Sequence, residues 1–342
     1  MHRWQNWSGR RVARPSQLTF ARSEADVQAT VLEATKTGSS VRVAGAGHSH
    51  SPIVVGADVL IDVSGLAGVV DTQSEASDGQ ALIRAGSSIF SLGLPLFEKG
   101  LALKNQGDID RQTLGGAVST GTHGTGRTLK NMSASVVGLD IILCGGEQVS
   151  CSAAVLQDLF QVARLSIGSV GVLTKLKMQL APVGVIKEHG WRVQFDELID
   201  QIPTLIATNE RFEFFWYPGS DEAVIKTINP SDKQASYPLG EEGKRAAWSH
   251  EVLPNHRPHL HTEMEYSVPE EDGPACFTEI RRLLRTHYVD VKWPVEYRTV
   301  AQDDIWLSMA TGRPTVTISV HQDIAEDEEP YYRACEEIFL SY

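Results

Sequence analysis

The sequence predicts an α+β protein of two domains, and three observations carry that expectation. At 342 residues the chain is long enough for two separate cores. Strand-like and helix-like runs are mixed in both halves, with no internal repeat. The character of the chain changes near Pro182, which sets the expected domains at 1–182 and 183–342.

The first half reads as follows. Ser23-Glu24-Ala25-Asp26 resembles a capping box, Val27, Val31 and Leu32 then fall at helical spacing, and Gly38 closes that helix. Val41-Arg42-Val43 is a short strand leading into a glycine loop, and Val59 to Val63 and Ala81 to Ala85 are further strands. Ser88 to Lys99 reads as helix despite Pro95, and Leu101-Ala102-Leu103 leads into a second glycine-rich loop. Val136 to Leu143 and Gln148 to Ser150 make a hairpin about Gly145-Gly146. Ala153 to Arg164 is an amphipathic helix and Gly171 to Leu180 a strand.

In the second half, Trp191 to Phe195, Phe212 to Tyr217 and Ala223 to Ile228 read as strands, with a helix near Asp196 to Ala207 and a turn at Pro218-Gly219-Ser220-Asp221. The polar stretch 229–261 is expected to be a long loop or lid. A strand at Glu263 to Val268, a helix from Pro274 to His287, and strands at Val295 to Val300 and Thr315 to Val320 follow. The acidic run Glu326 to Glu329 suits a solvated helix start.

Composition excludes several classes of function. A net charge of −12 gives no basic face for nucleic acid. No apolar run approaches the length of a membrane helix. Arg10-Arg11 is followed by polar residues rather than a signal-peptide core, so a cytoplasmic address is expected. Four cysteines without a CxxC pair do not make a disulfide framework; Cys144 and Cys151 could face each other on the hairpin, and buried free thiols are expected. His250, His256, His259 and His261 lack zinc spacing, and no metal is expected.

The chemistry resides in the glycine loops. Ala44-Gly45-Ala46-Gly47-His48-Ser49 follows a strand, and a second segment reads GDIDRQTLGGAVSTGTHGTG from Gly107 to Gly126. Glycines there let backbone N–H groups approach a pyrophosphate with no Cβ in the way. Neither loop fits the Rossmann or P-loop fingerprint. Glu296 and Arg298, two apart on a strand, point to one face.

These segments, together with SIGSVGVLT at Ser166 to Thr174 and VEYRTV at Val295 to Val300, resemble the vanillyl-alcohol-oxidase type of flavoprotein, in its aldonolactone oxidase and alditol oxidase branch. The resemblance implies a PCMH-type FAD-binding domain of two α+β subdomains plus an α+β cap (substrate) domain. It implies FAD bonded covalently through His48 to its 8α-methyl carbon. Val43, Ala44, Gly45, Ala46, Gly47, His48 and Ser49, with Thr120, Gly121, Thr122 and His123, would receive the pyrophosphate and ribityl chain. Asp108, Thr113 and Gly116 would lie along the flavin, and Gly168 and Gly171 with Val172 would close over the adenine or dimethylbenzene side. His123 is expected to serve a structural role rather than proton transfer. Gly107 matches a position where a small residue leaves room for dioxygen.

The catalytic residues implied are Glu296, orienting substrate hydroxyls, Arg298, holding negative charge, and His321 in ISVHQ, touching hydroxyls or taking their proton. The implied reaction is oxidation of a sugar-1,4-lactone or polyol with dioxygen as acceptor. The alternatives are an alditol oxidase, a quinone- or cytochrome-linked lactone dehydrogenase, and a flavin-binding protein with little turnover. The last follows from the expectation that the chain, ending at Glu337 to Tyr342, is a truncated version that stops before a lysine-bearing segment like GGRPHWGK.

Overall fold

The computed structural model describes residues 2–75 and 78–342. The chain divides into two compact units: Met1–Thr122 with Asn131–Val183 and Asp304–Ser308, and His123–Lys130 with Gly184–Asp303 and Met309–Tyr342.

The first unit opens with a ribbon of β1 (Trp4–Gln5) and β2 (Val12–Ala13). β3 (Gln17–Phe20), β4 (Val41–Ala44) and β5 (Val59–Asp62) then form a parallel sheet in the order β3–β5–β4. Parallel strands need a crossover, and α1 (Glu24–Thr37) carries the chain from β3 to β4. Its start is fixed by Ser23 and Asp26, which exchange side-chain-to-backbone hydrogen bonds, and its end by Gly38 at φ +66°. Val27, Val31 and Ala34 fall on one helical face and bury against Val59 and Ile61.

The same unit holds an antiparallel sheet of β6 (Val69–Glu75), β7 (Asp78–Arg84), β8 (Leu101–Ala102), β9 (Val136–Ile142), β10 (Gln148–Ser152) and β11 (Val172–Pro182), ordered β10–β9–β11–β7–β6 with β8 on the end of β11. α2 (Ile89–Phe97), α3 (Leu114–Ser119) and α4 (Gln157–Ala163) bury Leu92, Leu114, Val118 and Phe160 against Ile83, Ile141 and Leu176.

The second unit is a seven-stranded antiparallel sheet of β12 (Val185–Gln194), β13 (Arg211–Tyr217), β14 (Glu222–Pro230), β15 (Ala246–Trp248), β16 (His261–Pro269), β17 (Val295–Val300) and β18 (Thr315–Asp323). Their order is β15–β12–β14–β13–β17–β18–β16. α5 (Phe195–Leu198), α6 (Ile202–Thr208), α8 (Gly273–Thr286) and α9 (Glu329–Phe339) contribute to one apolar core. That core takes alternate residues of the strands, Phe212, Phe214 and Trp216 of β13, Val295 and Tyr297 of β17, and Ile318 and Val320 of β18. Side chains alternate across a strand. The residues between these therefore line the opposite face, where Glu296, Arg298, Ser319 and His321 lie.

Several expectations are corrected. The stretch 229–261 is not wholly loop: β15 pairs with β12, and α7 (Ser249–Val252) follows it, because Ala247, Val252 and Leu253 close a small core with Ile186 and Ile228. α4 starts at Gln157 rather than 153, since Leu156 adopts φ +51° and breaks the helix. The helix expected over 196–207 is interrupted by a tight 3₁₀ turn at Ile199–Gln201. β12 begins at Val185, well before Trp191. Cys151 pairs opposite Leu139, not Cys144, and Cys144 is exposed, so only three of the four free thiols are buried. Among the described residues, no helix is long and apolar enough to cross a membrane.

Candidate active site

A cleft in the first unit is built by three backbone segments. β4 ends at Ala44, and the loop Gly45 to Ser49 is held by a Trp7 N–H donating to the Gly47 carbonyl at 2.8 Å and by Asn6 Nδ2 donating to the Ser49 carbonyl at 3.1 Å. Gly47 sits at φ +70°, a conformation that favours glycine. The second wall is α3, seated by the Gly115 N–H donating to the Ala85 carbonyl at 2.7 Å. A Cβ at Gly45 would fall 1.9 Å from Thr113 Oγ1, so only glycine lets the loop approach this wall. The third wall is Ile167 to Leu173, with Gly168 at φ +70°.

Of the residues expected to hold the cofactor, Val43 through Ser49, Thr113, Gly116, Thr120, Gly168 and Gly171 line this cleft. Gly107, Asp108, Gly121, Thr122 and Val172 are not among its lining residues; Val172 packs into the core beside Ile142. Trp4, Gln112 and Ile167 line it and were missed. Two lining atoms, Thr113 Oγ1 and Gln112 Oε1, are buried with no hydrogen-bond partner. Unmet polar valences in a glycine-built cradle fit the polar chain of a dinucleotide. His48 lines the cleft with its ring stacked on Trp7 at 5.6 Å. Burial lowers its pKa, which keeps the imidazole neutral and nucleophilic.

The second unit carries a polar cluster on the sheet face away from its helices. Arg298 Nη2 lies 2.7 Å from Glu296 Oε2 and 3.4 Å from Glu265 Oε2. Ser319 Oγ donates to Glu265 Oε2 at 2.8 Å, and His123 Nε2 meets Glu265 Oε1 at 2.8 Å. His123 Nδ1 faces the Gly124 carbonyl at 2.8 Å. The cluster thus runs as a chain of contacts: His123, Glu265, Arg298, Glu296.

His123 reaches this face because its segment is stitched to the sheet. The Gly126 N–H donates to the Thr299 carbonyl at 2.8 Å, and Thr125 Oγ1 accepts from the Thr299 N–H at 3.2 Å while donating to the Phe212 carbonyl. A Cβ on Gly126, at φ +143°, would lie 2.6 Å from the Glu210 carbonyl oxygen. Part of the second glycine segment therefore serves backbone docking in this unit.

Burial alone would raise the Glu265 carboxyl, but His123, Arg298 and Ser319 outweigh it and hold it far below the usual carboxylate range. A carboxyl depressed by folding contributes stability above its unfolded pKa, about 4.3, and loses it as pH falls through the folded value. The stability difference between wild type and Glu265→Gln, read from urea unfolding, is expected to be widest at neutral pH and to shrink below about pH 4. A difference that does not vary with pH would rule out an ionised Glu265.

His321, on β18, places Nδ1 2.8 Å from the Pro294 carbonyl and Nε2 3.7 Å from Glu263 Oε1. Burial lowers its pKa against the opposing pull of Glu263, leaving Nε2 as the nitrogen with a lone pair.

Comparison with known proteins follows this division. A profile for FAD binding domains matches residues 15–152, and one described as D-arabinono-1,4-lactone oxidase matches residues 176–259 and 239–342. An L-gulono-1,4-lactone dehydrogenase of Mycobacterium tuberculosis (strain CDC 1551 / Oshkosh) is 32% identical, over 99% of this chain and 87% of its own. The chain belongs to the D-arabinono-1,4-lactone oxidase family. As a member of that family it carries an FAD-binding domain. A D-arabinono-1,4-lactone oxidase of Eremothecium gossypii is 30% identical over 68% of this chain and 45% of its own, and the L-gulonolactone oxidase of Mus musculus 24% identical over 93% and 81%. Among solved structures, a solvent-stable cholesterol oxidase superposes with a TM-score of 0.83, at 15% identity, over 98% of this chain and 82% of its own. That likeness shows the PCMH-type α+β fold.

Proposed function

We propose that the chain is an FAD-linked oxidase that converts a carbinol of a sugar-1,4-lactone, of the D-arabinono-1,4-lactone kind, or of a related polyol, to a carbonyl with dioxygen as electron acceptor and hydrogen peroxide as product. The observation that carries this reading is the contact chain His123–Glu265–Arg298–Glu296 in a chain that also holds a glycine-built nucleotide cradle. The names of the family's members supply the substrate class.

Bound FAD supplies the hydride acceptor. His48 tethers it, through the neutral ring nitrogen that burial favours. Glu296, paired with Arg298, accepts hydrogen bonds from substrate hydroxyls and so orients the reacting C–H. His321 Nε2 accepts the hydroxyl proton, while its Nδ1–H stays with the Pro294 carbonyl and fixes the tautomer. Arg298 stabilises the negative charge that develops as the C–H bond breaks. Gly107, buried and outside the residues that line the cleft, would act on access of dioxygen only if the bound isoalloxazine extends beyond that cleft.

The test is a panel of D-arabinono-1,4-lactone, L-gulono-1,4-lactone and alditols, scored first by flavin bleaching and then by peroxide release in air. No bleaching by any of them sinks the reading. Bleaching followed by slow reoxidation in air, with fast reoxidation by a quinone, supports instead a dehydrogenase, as the mycobacterial relative's name would suggest. The tether has its own check: denatured wild type is expected to retain yellow colour on the polypeptide, and His48→Ala to lose it. Colour that persists in His48→Ala after denaturation refutes attachment at that residue.

A further inference from the structure

We propose that Arg257, carried over Phe215 by the segment 240–257, binds the substrate hydroxyls farthest from the reacting carbinol. That makes the segment the element that selects among lactones by the length of their hydroxylated chain. The inference rests on the reading that the substrate is held at Glu296.

Strand register puts Phe215 beside that residue. Phe212, Phe214 and Trp216 of β13 turn into the apolar core, so Phe215 stands on the opposite face of the sheet. It pairs opposite Glu296 of β17, just as Glu213 pairs opposite Arg298. Side chains paired in this way have Cβ atoms about 4.5–5.5 Å apart. The Arg257 guanidinium lies over the Phe215 ring, 5.3 Å from its centroid, within the range of a cation–π contact. Both side chains are half-buried, which leaves each a surface that a small molecule at Glu296 can touch.

The segment is pinned to the sheet. Glu188 of β12, 1% exposed, accepts from the Gly243 N–H and from Arg245 Nε and Nη2, each at 2.7 Å. Arg245 also donates to the Pro254 carbonyl and to Asn255 Oδ1, both at 2.8 Å. One buried fork thus ties both limbs of the segment to β12, and Arg257 follows two residues after Asn255. A group fixed before the substrate arrives loses little freedom when it binds.

Charge indicates the class of ligand. Arg257 lies 3.5 Å from Glu242, Glu242 3.7 Å from Lys226, and Lys226 2.5 Å from Glu213. Two cations and two anions in series leave no excess positive charge to attract an acid. They present donors and acceptors in turn, which suits a neutral chain of hydroxyls.

The test compares flavin reduction by D-arabinono-1,4-lactone and L-gulono-1,4-lactone in the flavin-loaded chain. The two share a ring, and the second carries one more hydroxylated carbon outside it. Arg257→Ala is expected to lower kcat/KM for the longer lactone about tenfold more than for the shorter, with the loss falling on KM. Phe215→Leu should move the ratio in the same direction, and it keeps the test open if Arg257→Ala fails to fold. Lys244→Ala, on the same segment with a side chain 75% exposed, should keep the wild-type ratio. Thermal melts establish that each variant is folded. Equal losses on the two lactones overturn the proposal, because a structural role does not distinguish substrates, and so does no loss on either. Failure of the lactone reading shows in wild type, as no bleaching by either sugar, and takes this inference with it. Failure of the inference alone shows only in the ratio between the two sugars.

Discussion

Replacing Arg298 with methionine is expected to lower kcat on the lactone by about 10²–10³-fold, with flavin still bound. The guanidinium spans two carboxylates, Glu296 at 2.7 Å and Glu265 at 3.4 Å, so its position is fixed before any substrate arrives. A preset charge costs no reorganisation when negative charge develops, and its removal acts on the transition state more than on the bound ground state. The loss should therefore appear in kcat with little change in KM. Arg298→Lys should fall between, because a compact ammonium on a flexible stem keeps the charge but not the rigid planar placement of the guanidinium. A purely structural ion pair makes the opposite forecast: lower stability, from two carboxylates short of a cation, but unchanged turnover per flavin-loaded molecule. Rapid-mixing measurement of flavin reduction in the loaded fraction separates the two, and unchanged reduction in Arg298→Met would remove Arg298 from the chemistry.

The sequence made one half of this cluster visible and concealed the other. Glu296 and Arg298 are two apart on a strand, so a shared face follows from pleat alone. Glu265 lies on a strand of the same alternating kind, with Met264, Tyr266 and Val268 between its polar residues, and that pattern equally suits a solvated sheet face. Its role emerges only when β16 pairs with β18, and when a histidine 142 residues away closes on it. No local pattern encodes such a contact. The glycine loops show the same divide. Gly45 and Gly47 were legible as a glycine loop after a strand, and they line the cleft, because the strand before them is local; Ser23, Asp26 and Gly38 marked α1 for the same reason. Trp4 was invisible, since a two-residue strand has no periodicity and reaches the cleft through the ribbon it forms with β2. The stretch 229–261 misled because three residues, Ala246 to Trp248, are too few to outweigh polar surroundings until β12 offers them an edge.

Gly45→Ala is expected to give a folded protein that is purified without flavin. The added methyl would sit 1.9 Å from Thr113 Oγ1 and 2.9 Å from its Cβ and Cγ2, well inside contact distance. Thr113 has little room to yield, since it is buried and immediately precedes α3, whose first residues are tied to Ser87 and Ala85 by backbone hydrogen bonds of 2.8 and 2.7 Å. The loop must therefore move outward, and it carries His48 with it. Both proposed holds on the cofactor, the peptide amides of the loop and the imidazole tether, are displaced by one substitution. The apolar cores of the two units do not include Gly45, so the thermal transition of the cofactor-free protein should shift far less than flavin occupancy falls. Thr113→Ala in the same chain removes Oγ1 and Cγ2 and is expected to restore part of the occupancy. Absorbance near the flavin bands relative to protein gives the ratio directly. Full occupancy in Gly45→Ala would mean that the cofactor does not depend on this approach of loop and helix, and the cradle would have to be sought elsewhere in the first unit.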